Sequence, residues 1–96
     1  MSKGYWICRV NINDGGAFKE YARKAKLAIE KYGGKYVARG GKFSILEGKH
    51  SFERNVIVEF DSVEKAQDCF NSKEYQEAKS YRDGKADFNA IVIEGY

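Results

Sequence analysis

Gly4-Tyr5-Trp6-Ile7-Cys8-Arg9-Val10-Asn11-Ile12 alternates Trp6, Cys8, Val10 and Ile12 with Tyr5, Ile7, Arg9 and Asn11. Side chains of a strand point to opposite faces in turn, so this stretch reads as a strand with apolar groups on both. Two later stretches repeat the pattern: Val56, Val58 and Phe60 alternate with Ile57 and Glu59, and Phe88, Ala90 and Val92 with Ile91 and Ile93. Only two helical stretches are available, enough to cover one face of a sheet. The second face calls for a partner, most simply the same face of another copy.

The rest of the chain falls into place around these strands. Asn13-Asp14-Gly15-Gly16 is a turn with Asp14 placed to cap a helix. From Ala17 to Tyr32, residues Phe18, Tyr21, Ala22, Ala25, Ala28, Ile29 and Tyr32 recur at helical spacing, and Gly33-Gly34 ends the run. Lys35 to Arg39 reads as a second strand, and Lys42 to Glu47 as a strand-like piece beyond Gly40-Gly41. The glycine pair fits either a hairpin turn or a bend within one long strand; the bend is preferred. A turn at Gly48 to Ser51 leads into a strand from Glu53 to Phe60.

Asp61-Ser62-Val63-Glu64 has the form of a capping box, and a second helix follows with Val63, Ala66 and Phe70 on its apolar side. Asn71-Ser72 interrupts that helix, and Ser72 is placed to cap a continuation carrying Tyr75, Ala78, Tyr81 and Arg82. Asp83-Gly84 stops it before the last strand, Asp87 to Glu94. The order β-α-β-β-α-β with right-handed crossovers predicts a ferredoxin-like α+β fold: a four-stranded antiparallel sheet with the helices on one face.

Ninety-six residues predict a single domain over 1–96. No apolar run approaches the ~20 residues of a transmembrane helix, and no signal peptide is visible. Cys8 and Cys69 lie in apolar patterns without metal-ligand spacing, so buried free thiols in a reducing cytoplasm are expected. The net charge of +3 is unevenly spread. Residues 1–50 hold 11 Lys/Arg against 4 Asp/Glu, and residues 51–96 hold 6 against 10. A solvated basic helix face explains most of the excess; steering of an anionic ligand is the functional alternative.

Several sequence features together resemble a bacterial family of unknown function. They are Gly4-Tyr5-Trp6-Ile7, Tyr32-Gly33-Gly34-Lys35-Tyr36, Ala38-Arg39-Gly40-Gly41-Lys42-Phe43, and Leu46-Glu47-Gly48 leading to Val56-Ile57-Val58-Glu59-Phe60. Ser72-x-Glu74-Tyr75-Gln76-x-Ala78-Lys79-x-x-Arg82 and Ile91-Val92-Ile93-Glu94-Gly95 complete the set. The family is the domain-of-unknown-function family thirteen-thirty, of the dimeric α+β barrel superfamily. The resemblance implies a homodimer in which two sheets pack face to face. Relatives in that superfamily include cofactor-free oxygenases, haem-degrading enzymes, muconolactone-type isomerases and stress-responsive barrels, and fold does not choose among them.

Two clusters are candidates for binding. Arg9, Arg39 and Glu59 share one face with Ile7, Val37 and Ile57 in the expected register, with the third strand between the first and second. A carboxylate there needs a cationic partner, which gives either a structural ion pair or an anion pocket with an acid/base group attached. Tyr21, Tyr75 and Arg82 lie on the helices. Superfamily enzymes place a pocket between sheet and helices, so the resemblance implies that these residues and Trp6 line it; packing in the core is the simpler account.

His50, the single histidine, falls in the turn beside Phe52 and reads as a solvent-exposed side chain. No C-x-x-C, H-x-x-x-H or dense carboxylate cluster is present, so neither metal nor cofactor is expected. No G-x-G-x-x-G or P-loop spacing points to a nucleotide. RNA-recognition modules share the element order, but Asn55-Val56-Ile57-Val58-Glu59-Phe60 has aliphatics and an acid where stacking rings belong, so nucleic acid is not expected. The chain therefore reads as a barrel that binds a small anionic or aromatic molecule. A small cofactor-free enzyme of oxygenase or isomerase type, or a purely associating domain, are the alternatives.

Overall fold

The computed structural model describes residues 2–96. Its elements run β1 (Gly4–Ile12), α1 (Gly15–Lys31), β2 (Lys35–Arg39), β3 (Arg54–Phe60), α2 (Val63–Asn71), α3 (Lys73–Ser80) and β4 (Ala86–Glu94). The strands form one antiparallel sheet in the order β2-β3-β1-β4. This is the expected ferredoxin-like plan, with β3 between β1 and β2. The interrupted second helix is two helices, α2 and α3.

Local chemistry sets the helix boundaries. Asp14 caps α1 by accepting a hydrogen bond from the Ala17 amide at 3.0 Å. Gly33, at φ +76°, takes the left-handed turn after the Tyr32 C-cap. The cap of α2 is Ser62 rather than Asp61, its hydroxyl accepting from the Lys65 amide at 3.0 Å. Ser72 both ends α2 and starts α3. Its Oγ donates to the Cys69 carbonyl at 2.7 Å and accepts from the Tyr75 amide at 3.1 Å.

The core lies between the helices and one face of the sheet. Trp6, Cys8 and Val10 of β1 and Val58 and Phe60 of β3 meet Phe18, Tyr21, Ala25, Ala28 and Ile29 of α1. Ala66, Cys69, Tyr75 and Ala78 close the core from α2 and α3. Cys8 and Cys69 are free and buried. The opposite face carries no helix. There Ile7 stands between Ile57 and Ile91 in register, and Tyr5 stands beside Ile93. Ile91 and Ile93 remain 59% and 51% exposed.

Two expectations are corrected here. Lys42 to Glu47 forms no strand. The chain leaves β2 at Arg39, the Gly40 amide bonds the Asn55 carbonyl at 2.8 Å, and residues 41–53 run on as an irregular arm. Lys42–Glu47 does not pair back on β2, so the hairpin alternative fails as well. Phe43, Ile45 and Leu46 on this arm are exposed. The second correction is a β-bulge between Tyr36 and Ala38, which pairs Tyr36 with Val58, Ala38 with Ile57 and Arg39 with Val56. One inserted residue flips everything after it to the other face. Arg39 therefore faces the helices, not the open face.

Candidate functional site

Register and the bulge together separate the Arg9–Arg39–Glu59 cluster: Glu59 pairs with Tyr5 and Lys35 at one end of β3, Arg9 pairs with Asn55 at the other, and the bulge turns Arg39 to the opposite face. Glu59 lies on the open face, accepting from the Tyr5 hydroxyl at 3.1 Å and standing 3.7 Å from Lys3 Nζ. Arg9, also on the open face, stacks over the Phe52 ring at 4.8 Å. Arg39 stacks over Tyr36 at 4.4 Å, on the helix side of the sheet. Arg39 and Glu59 do not meet, and no shared polar cavity forms between them.

The helix side brings other residues together. A cleft opens between α1 and the β2–β3 edge, with a volume of about 30 Å³. Phe18, Tyr21 and Tyr36 line it with Trp6, and Arg39 and Arg54 also belong to its wall. No carboxylate does. The Arg54 guanidinium lies over Phe18 at 5.8 Å, and its Nε is shielded without a hydrogen-bond partner. Arg54 precedes Val56, Val58 and Phe60 at even spacing. That period-two signal places it on the helix face, although the sequence-derived candidates do not include it.

Tyr21, Tyr75 and Arg82 do come together. The Tyr21 and Tyr75 hydroxyls are 2.7 Å apart. Arg82 Nη2 donates to the Tyr75 hydroxyl at 3.4 Å, a weak contact. The Arg82 guanidinium packs 3.6 Å over Phe88 and 5.0 Å from the Tyr21 ring, and only 6% of the residue is exposed. Its Nε has no partner. Arg82 therefore sits behind Tyr21 and Phe88, which line the cleft. Tyr75 lines a second cavity on the other side of Trp6.

Among the described residues, Arg9, Arg39, Arg54 and Arg82 each lie over an aromatic ring and form no carboxylate ion pair. Arg23 alone among the arginines pairs with an acid, Glu20, at 2.7 Å. A guanidinium stacked on a ring keeps its edge N–H donors available, the geometry that accepts a planar anion.

Burial holds the thiol and phenol groups in and beside the cleft in their protonated forms. Burial pushes the Cys8 thiol up to about 12, so it is no nucleophile at neutral pH. Burial likewise raises Tyr21 well above an ordinary phenol, and it raises Tyr75 against the opposing hydrogen bonds from Arg82 and Tyr21. Both hydroxyls stay neutral, able to donate and accept but not to act as bases. His50 is remote from the cleft. It is half-buried, not solvent-exposed as expected, with its ring 4.7 Å from Phe43 and its Nε2 shielded without a partner. No group of three or more metal-ligating side chains occurs among the described residues. No helix there is long and apolar enough to cross a membrane.

With this architecture in view, comparison with known proteins places the chain. It matches, over residues 3–96, the family described as domain of unknown function DUF1330. The chain belongs to that family. No curated protein matches it. Among solved structures it is similar to a protein of unknown function from Rhodopseudomonas palustris. That match has a TM-score of 0.80 at 21% identity and covers 99% of this chain and 83% of the other. It is also similar to SnoaB, a cofactor-independent oxygenase from Streptomyces nogalater, with a TM-score of 0.64 at 5% identity over 97% of this chain and 92% of SnoaB. A dimeric ferredoxin-like protein of unknown function from Thermobifida fusca matches at TM-score 0.54 and 11% identity, over 96% and 90% of the two chains. These identities carry the ferredoxin-like α+β fold and no chemistry.

Proposed function

We propose that this protein binds a small organic carboxylate in the cleft between α1 and the β2–β3 edge, as a homodimer joined through its open sheet face. One observation carries the binding reading. The cleft has aromatic walls and two ring-stacked guanidiniums, Arg39 and Arg54, with no acid to neutralise them. A wall of that composition favours an apolar body with a negative end. The cleft volume of about 30 Å³ takes a methyl-sized group as it stands. Arg39 is exposed and Tyr36 half-buried, so swinging their stack outward widens the cleft for a ring.

The homodimer reading rests on the isoleucine-lined face and on the dimeric relative of the same fold. The enzyme alternative keeps the same cleft. With no histidine or carboxylate in the wall to take a proton, a substrate there must arrive already ionised.

Calorimetric titration with benzoate, cyclohexanecarboxylate and benzamide tests the binding reading. Saturable binding of at least one acid, weaker binding of the neutral amide and a tenfold or greater loss in Arg54→Gln are the expected results. If neither acid binds at millimolar concentration, or if Arg54→Gln binds as well as the parent, the reading fails.

A further inference from the structure

We infer that the protein carries a second, separate site, for a neutral benzene-sized aromatic molecule, between α2 and β4. A cavity of about 150 Å³ lies there, on the far side of Trp6 from the cationic cleft. Its physical origin is local. α2 packs over β1, β3 and β4, and the positions facing each other across the gap are the small residues Ala66 and Ala90. β4 is an edge strand, so no further strand fills the space beyond it.

The walls decide the ligand class. Trp6, Phe70 and Tyr75 present three rings in mutual contact, with centroids 6.0 Å apart for Trp6–Phe70, 5.0 Å for Trp6–Tyr75 and 5.2 Å for Phe70–Tyr75. These separations suit edge-to-face and tilted packing; Trp6 and Tyr75 are themselves buried and form the floor, so a fourth ring meets chiefly the half-buried Phe70. No charged side chain lines the cavity. Gln67 and Asn71, both exposed on α2, are its polar wall residues and can meet a hydroxyl or similar neutral substituent. The walls are also held in place. Trp6 Nε1 donates to the Ala66 carbonyl at 3.0 Å, and the Tyr75 hydroxyl is tied to Tyr21. The space has the volume of a benzene-sized guest and opens to solvent past Gln67, Asn71, Ala90 and Ile91, and the absence of a cation distinguishes the site from the cleft.

Fluorine NMR of fluorobenzene with the intact protein is the test, with methyl NOEs locating the ring. The expected result is saturable binding with NOEs to the Ala66 and Ala90 methyls. Ala90→Phe, which fills the cavity from an exposed strand position, should abolish binding, and Arg54→Gln should leave it unchanged. Gln67→Trp closes the same cavity from α2 and serves if Ala90→Phe unfolds. Absence of saturable binding would overturn the inference. So would binding that survives a folded filling variant, or binding that Arg54→Gln removes. Benzoate titration of Ala90→Phe separates the two sites, since carboxylate binding in the cleft does not depend on the filled cavity.

Discussion

Arg82 shows how a single residue in the core is held without a counter-ion. Its charge is desolvated, and the compensation comes from the Phe88 and Tyr21 faces and the Tyr75 hydroxyl rather than from a carboxylate. Arg82→Ala removes this packing and leaves a gap beside Phe88. A loss of roughly 2–3 kcal/mol is expected by chemical denaturation, with Arg82→Met recovering part of it because its stem refills the space. The buried thiols make a second prediction. Cys8 and Cys69 ionise at about 12 in the folded protein against an ordinary 9.0, because burial disfavours the thiolate. Above pH 9 the unfolded chain releases these protons and the folded chain does not, so the unfolded state binds fewer protons and stability falls as pH rises. Their contribution is complete below pH 9 and is lost progressively toward pH 12. Melting temperature should therefore decline through this window, and less steeply in Cys8→Ala/Cys69→Ala. A thiol reagent at pH 7 should label neither cysteine without denaturant.

At the level of elements, the β2 edge and the arm after it decide what the cleft looks like. The bulge around Val37 aims Arg39 at the helices, and Gly40 lets Arg54 lie flat across the strand end. Gly40 has φ +68°, and a Cβ there would run into the Arg54 guanidinium. Gly40→Ala is expected to cost about 1–2 kcal/mol for the left-handed backbone. It should also push Arg54 out of the cleft, so carboxylate affinity falls along with the melting temperature. A variant with unchanged benzoate affinity would show that Arg54 does not act from this position. The far end of the arm is tethered: Asn11 Nδ2 donates to the Ser51 carbonyl at 2.7 Å, and the Glu53 amide donates to Asn11 Oδ1 at 2.9 Å. Between these anchors the apolar residues Phe43, Ile45 and Leu46 face outward.

For the whole molecule, the decisive feature is a sheet with one covered and one bare face. Ile7, Ile57 and Ile91 stand side by side across three strands, flanked by Ile93, and apolar patches of this kind on a monomer mark interaction sites. Light scattering of the purified protein should give twice the chain mass. Ile57→Lys, placing a charge within the patch beside Ile7, should return a folded monomer, because an unpaired ammonium cannot be buried against another copy. A parent protein that stays monomeric at micromolar concentration would remove the homodimer proposal.

Periodicity alone made the four strands, the α1 stripe and the break at Ser72 legible, since each depends on side-chain spacing and local capping. The alternation of β1, β3 and β4 was enough to predict a sheet apolar on both faces, and the element order to predict its topology. What the sequence could not show was the bulge at Val37. A bulge is a property of a pair of strands, created only when β2 is laid against β3, and it reversed the facing of Arg39; register, equally a property of paired strands, set Glu59 opposite Tyr5 and Lys35, away from both arginines. The Lys42–Glu47 segment has strand-like composition but finds no neighbour within the chain to bond with, so propensity did not become structure. Tyr21, Tyr75 and Arg82 were readable as a group, yet which cavity each one serves depends on how α1, α2 and α3 pack around Trp6. That arrangement is non-local, and only the tertiary structure decided it.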